Sequence, residues 1–166
     1  MGQEASLVRP RLARGCRCFA VVIDGAIAGY GWLSSASEWI GELQLDISPR
    51  AGEGYIWNCA TIAEHRRKGI FRAILGGITG VARSEGYGRL WIGSVDIPAE
   101  KAVRPSGFRP ALTFRTVSLL GMHLMVARRA PDADFSLTEE ARHVLGSPGA
   151  PLVMGVLISP QKTRTH

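Results

Sequence analysis

The sequence predicts a mixed α/β domain, with a central, mostly antiparallel sheet flanked by helices. Three observations carry this expectation. Residues 18–23 and 26–33 are β-favouring runs joined by Asp24-Gly25, a dipeptide typical of a two-residue hairpin. Residues 55–61 form a second aromatic and β-favouring run, which leads through a basic, glycine-containing segment into a stretch where Ile70, Ile74, Ile78 and Val81 recur at helical spacing. Strand-like sequence resumes at residues 90–95, so a helix is enclosed between strands.

The elements follow in order. Residues 4–13 can form a short basic helix ending near Gly15, and the 18–33 hairpin comes next. A loop over 34–38 precedes residues 40–47, where Leu43, Leu45 and Ile47 alternate with Glu42, Gln44 and Asp46, the pattern of a strand with one wet face. A turn through Pro49 and Gly52 leads into residues 55–61, so the strands up to this point read as an antiparallel meander. The helix over 70–85 contains Gly76, Gly77 and Gly80, each costing up to about 1 kcal/mol against alanine, which suggests that it lies very close to the sheet. Gly86 suits the position just past its end. A short helix over 96–106 is broken near Pro105, and strands over 108–120 and 122–127 hinge at Gly121. Beyond Arg129 a linker-like stretch leads to a capping-box pattern of Ser136 with Glu139, a helix over 137–145 closed by Gly146, and an apolar run over 152–158.

Length and composition narrow the function. A chain of 166 residues is expected to form one domain, 1–166, with residues 130–166 an extension packed on the domain or on a partner subunit, a homodimer contact being one home for its apolar strand. Apolar residues make up 46% and charged residues 20%, and the longest apolar runs fall far short of a bilayer span, so no membrane role is expected. No secretory pattern opens the chain, which points to the cytoplasm. Cys16, Cys18 and Cys59 fit neither a disulfide framework nor a zinc knuckle and read as reduced thiols, and no metal is expected. The formal charge of +6 favours an anionic partner. The cations cluster at one helix start without a recognisable nucleic-acid motif, so the expected anion is a phosphate-rich cofactor and not nucleic acid.

That helix start is Arg66-Arg67-Lys68-Gly69-Ile70-Phe71-Arg72. The first N–H groups of a helix lack internal acceptors and its dipole is positive there, while glycine allows the backbone close to phosphate oxygens. With its flanking strand and helix, and with residues 96–108 ending in Gly107-Phe108, the segment resembles the pyrophosphate loop of the GNAT superfamily of acyl-CoA-dependent N-acetyltransferases. The resemblance covers roughly residues 18–129. Arg66 and Gly69 take the family's loop places, and Phe71 stands where glycine or alanine is commoner.

The resemblance implies a GNAT-like fold with splayed middle strands, acetyl-CoA as cosubstrate, and transfer to a primary amine of a small or amino-acid-like molecule. Backbone groups of Cys59, Ala60 and Thr61 would hold the pantetheine arm and thioester. The amides of Arg67, Lys68, Gly69, Ile70, Phe71 and Arg72 would hold the pyrophosphate, and Asp96 occupies the place of a cofactor-side asparagine. Val103 stands where the family often has a thiolate-protonating tyrosine, and Trp91 where it sometimes has a glutamate, so proton chemistry has to come from elsewhere. These departures leave open a catalytically weak acyl-CoA-binding or sensing protein. From strand pairing across the 48–52 turn, Glu42 lies opposite Cys59, either as a proton acceptor or as an exposed strand carboxylate, on a face with Gln44, Asp46, Tyr55 and Trp57. Trp39 and Trp57 would wall the acceptor site.

Overall fold

The structure, a computed structural model, describes residues 2–41, 45–93, 101–119, 122–146 and 153–158, with side-chain surroundings at 4–41, 45–93, 101–114 and 126–146. Its contacts group into two compact units, residues 1–108 with 144–146, and residues 109–143 with 147–166. No helix among the described residues is long and apolar enough to cross a membrane.

The first unit begins with a 3-10 turn, Gly2–Leu7, running into helix α1, Val8–Ala13. Strands β1 (Arg17–Ile23) and β2 (Ala26–Ser34) form the expected hairpin, with Asp24 at φ 49° and Gly25 at φ 77°, the paired positive φ values of a tight turn. Strand β1 alternates half-buried with exposed residues, as a one-sided edge strand should, whereas β2 is buried at every position from Ala28 to Ser34. Central position explains the difference, because β2 is covered on both faces.

The expected strand over 40–47 is a hairpin instead. Strands β3 (Glu38–Ile40) and β4 (Leu45–Ile47) pair antiparallel as a separate two-stranded sheet, Trp39 opposite Asp46, with Gly41 at the end of β3. The next strand, β5 (Glu53–Thr61), therefore does not pair with β4. It lies antiparallel to β2 and parallel to β6 (Arg89–Ile92), giving the sheet order β1-β2-β5-β6. The meander is replaced by a mixed, mostly antiparallel sheet, in which β4 (Leu45–Ile47) pairs with β3 and not with β5.

Helix α2, Ile70–Ser84, lies on one face of this sheet through Ile70, Ile74, Leu75 and Ile78, which join Ala28, Leu33 and Ile56 in the core. Each fully buried aliphatic side chain contributes about 1.5–3 kcal/mol. Close approach is real, but different glycines permit it. A Cβ on Gly31 would lie 2.7 Å from Cys59 Sγ and 2.8 Å from Ile74 Cγ2, and one on Gly29 would lie 2.8 Å from the Ala60 carbonyl oxygen. Gly76, Gly77 and Gly80 are exposed with nothing within 4 Å, so they leave α2's outer face bare and do not set its distance from the sheet.

The second unit holds the antiparallel sheet β7 (Leu112–Leu119), β8 (Met122–Arg129) and β9 (Val153–Ile158), in that order, with β9 at an edge. Helix α3, Phe135–Val144, starts two residues before the expected 137–145 helix. Its cap is Asp134, whose Oδ1 accepts from the Leu137 N–H at 2.6 Å, while Ser136 lies inside the first turn and donates to Glu140.

The two sets of glycines should respond oppositely. Gly77→Ala should raise stability by up to about 1 kcal/mol from helix propensity, and Gly31→Ala should lower it by about 1–3 kcal/mol through overpacking. Urea denaturation of both variants checks this, and a stabilising Gly31→Ala would contradict the close approach of α2.

Candidate functional site

Strand β5 changes character halfway along. It pairs with β6 from Glu53 to Ile56, and Tyr55 and Ile56 are bonded on both edges, to β2 and to β6, with Ile56 opposite Ile92 as the last parallel pair among the described residues. From Trp57 to Thr61 the described residues give it a partner on the β2 side only. In the same stretch the β2 register slips: Trp32 faces Trp57 but Tyr30 faces Ala60, so β5 carries one extra residue. Asn58 has φ 44°, a left-handed conformation that asparagine tolerates better than most residues.

The bulge reassigns the faces of the strand. Without it Trp57 and Cys59 would point the same way. Instead, Cys59 packs with the α2 core, whereas Trp57 lies on the opposite face under the Arg11 guanidinium, 4.5 Å from its ring centroid. Tyr55 is buried and does not line the cavity described below. The expected shared face of Tyr55, Trp57 and Cys59 is thus broken by one residue. Burial pushes the Cys59 thiol up to about 12, which leaves it protonated near neutrality and unsuited to nucleophilic attack.

Strand β5 leads through a 3-10 turn, Ala63–His65, into the basic loop. Arg66, Arg67, Lys68, Gly69 and Arg72 are exposed. Arg67 at φ 62° and Gly69 at φ 79° both adopt the left-handed region, an arrangement of order 1–3 kcal/mol unfavourable at a non-glycine such as Arg67. Turns of this type direct backbone N–H groups into an anion-binding concavity. No side chain caps α2, and the Ala73 N–H donates back to the Gly69 carbonyl at 3.0 Å, so the earlier amides face the loop. Ile70 is buried and Phe71 packs against the core, which leaves their backbone to the outside while their side chains hold the helix start. Val103 and Phe108 pack on the same core.

On the other face of the sheet, a cavity of about 790 Å³ is lined by Glu4, Arg11, Arg14, Glu38, Trp39, Asp46 and Trp57, among others. Trp39 and Trp57 both line this cavity, and Asp46 lies across from Trp39 on β4. Glu42, Gln44 and Asp96 lie outside the described residues. Sequence reasoning missed Glu4, Arg11, Glu38 and Asn58, which the fold brings to this cavity and to the bulge beside it. Arg11 is 6% exposed and lies over both Trp57 and Trp32, with Glu4 Oε2 at 3.3 Å. Glu4 Oε2 also accepts from Asn58 Nδ2, tying the N-terminal turn to the bulge.

Glu38 is 7% exposed and is held by Arg14 through Nη2 at 2.5 Å and Nε at 3.1 Å, with the Cys16 thiol donating at 3.2 Å. Burial pushes its carboxyl up, but the hydrogen bonds from Arg14 and Cys16 and the charges of Arg14 and Arg11 outweigh burial and hold it below the usual value of 4.5. Burial and the adjoining Glu38 push the Cys16 thiol up. The indole N–H groups of Trp32 and Trp57 are buried without an acceptor among the described residues. No described group of three or more His, Cys, Asp or Glu could hold a metal ion.

Comparison with known proteins matches residues 3–108 to the model of the Acetyltransferase (GNAT) family. Among solved structures, the chain is similar to a candidate acetyltransferase from Agrobacterium tumefaciens str. C58, at 17% identity and a TM-score of 0.52, covering 72% of this chain and 81% of that one. It is also similar to an acetyltransferase from Trypanosoma brucei, at 17% identity and a TM-score of 0.51, covering 69% and 77% of the two chains. These likenesses extend to the fold. A comparison with curated proteins finds no match.

A lowered folded-state carboxyl stabilises fully above its ordinary range, and that contribution disappears as pH falls through the lowered value. Glu38→Gln should therefore destabilise the protein at neutral pH, with the gap from wild type narrowing below about pH 4. Denaturant midpoints measured at neutral and acid pH check the sign; a gap that widens in acid would contradict it.

Proposed function

Because the chain belongs to the GNAT acetyltransferase family, we propose that it transfers the acetyl group of acetyl-CoA to the primary amine of a small-molecule or amino-acid-like acceptor by direct attack on the thioester. The observation that carries this reading is the continuity of three features along one piece of chain. The stretch of β5 past Ile56 that has no partner on the β6 side among the described residues, the bulge at Asn58 and the left-handed basic loop before α2 follow one another without interruption. An extended thioester arm can pair with the backbone of Cys59, Ala60 and Thr61, for which the described residues supply no partner on the β6 side. The pyrophosphate would then meet the amides of Arg67 to Arg72, with the surrounding cations adding charge.

The cavity at Trp57 suits the acceptor. Its lining includes Glu4, Glu38 and Asp46 against Arg11 and Arg14, so it is formally anionic by one charge in a chain of net charge +6. That local inversion favours an ammonium ligand over a second anion. Trp39, 53% exposed, adds a face for a cation or an apolar body. The volume of about 790 Å³ fits a small molecule.

Val103 gives a second outcome a specific basis. A valine at this position, half-buried against the core, cannot protonate a departing thiolate, so that proton has to come from water or from the acceptor itself. A protein that binds CoA but releases none of it with a broad amine panel would be an acyl-CoA sensor.

The cradle has its own test. Gly69→Val forces a β-branched residue into φ 79° and places bulk where the backbone should meet phosphate. CoA affinity should fall at least about tenfold, or about 1.4 kcal/mol, by calorimetry. Unchanged affinity in a folded variant would remove the loop from the cofactor site.

A further inference from the structure

We propose that Glu4, on the N-terminal 3-10 turn, receives the proton of the acceptor amine. The inference rests on the reading of the cavity as the acceptor site. Three carboxylates line that cavity, and their surroundings differ. Glu38 is engaged through both oxygens by Arg14 and Cys16 and is held in its charged form by them. Asp46 lies on the exposed face of β4, opposite Trp39. Among the described residues, Glu4 is the one of the three that bonds to β5, through Asn58 at the bulge.

Both described hydrogen bonds to Glu4 go to one oxygen. Oε2 accepts from Asn58 Nδ2 and from Arg11 Nη1, and Oε1 has no partner among the described residues. One oxygen fixes the side chain and leaves the lone pairs of the other to accept a proton. Arg11 is itself immobilised over Trp57 and Trp32, so the carboxylate is oriented from two sides. Glu4 also remains about one-third exposed, at 37%, so a substrate or a single water can reach it.

The chemistry balances. An acceptor R–NH3⁺ gives one proton to Glu4, directly or through a water, and the freed nitrogen lone pair attacks the thioester carbonyl carbon to form the C–N bond. As the tetrahedral intermediate collapses, the C–S bond breaks and its electron pair leaves on sulfur. The second proton of the nitrogen passes to that thiolate, giving the amide and CoA, and Glu4 returns its proton to water.

Glu4→Gln tests this, because it keeps an oxygen acceptor for Asn58 and Arg11 while removing the proton-accepting charge. With acetyl-CoA and the best amine found for the wild-type chain, kcat should fall by about a hundredfold. The KM for acetyl-CoA, the CoA affinity and the melting temperature should stay close to wild type. Wild-type kcat in Glu4→Gln would overturn the proposal. A loss of kcat accompanied by equal losses of CoA affinity and melting temperature would also overturn it, by assigning Glu4 to holding the bulge. A wild-type chain that acetylates no amine overturns the functional reading and this inference with it, whereas an active wild type beside an equally active variant overturns this inference alone.

Discussion

One extra residue in β5 governs the site. A regular strand over Glu53–Thr61 would keep one set of side chains against α2 throughout and present a uniform edge. The slip between the Trp32–Trp57 and Tyr30–Ala60 pairs instead turns Trp57 to one face and Cys59 to the other. It does so just beyond Ile56, the last residue of β5 paired with β6 among the described residues. The consequences are an aromatic floor for the cavity and a thiol committed to the core. Bulges commonly re-aim side chains where a sheet must stop pairing. Here the same device separates the cofactor's proposed path from the core behind it.

The bulge is held from both faces. On the α2 side there is no room for even a methyl group at Gly29 or Gly31, so the helix reports any shift in β2 or β5 directly to the basic loop at its start. On the other side Arg11 is buried against two tryptophans and paired with Glu4. A desolvated cation–π contact is worth about 2 kcal/mol. Removing one member of a buried ion pair strands the other, so the cluster resists piecemeal loss. Arg14 and Glu38 repeat the theme at the cavity's rim, where the guanidinium is half exposed and the carboxylate is not. Two arginines that raise the net charge of the chain are thereby neutralised locally, and the cavity is left with an acidic character.

Local chemistry was legible in the sequence and long-range pairing was not. Asp24-Gly25 fixes its hairpin because both residues accept positive φ, and Gly69 before a helical apolar stripe marks the start of α2 by the same kind of local constraint. Period-two alternation could not distinguish one strand over 40–47 from β3 and β4 folded on each other, since Trp39 and Asp46 are exposed in either arrangement; Gly41 was the available sign of a break. The partner of β5 was beyond reach, because neighbours in sequence suggested β4 while the sheet chose β2 and β6. Glycines were visible but not their reasons: crowding is at Gly29 and Gly31, and α2's own glycines face open space. In the candidate site, the positive φ at Gly69 and the helix that starts after it were legible from local sequence. Asn58 could have been noticed as a turn-prone residue inside a β-favouring run, but nothing in the chain linked Glu4 to it across more than fifty positions.

Hydrogen exchange with and without acetyl-CoA tests the central claim most directly, because it reads backbone amides along β5 and the loop in one experiment. The account predicts new protection concentrated at residues 58–61 and 67–72, with little change on the outer face of α2 or in β1. Saturating acetyl-CoA that leaves those two stretches unchanged while protecting another part of the chain would contradict it.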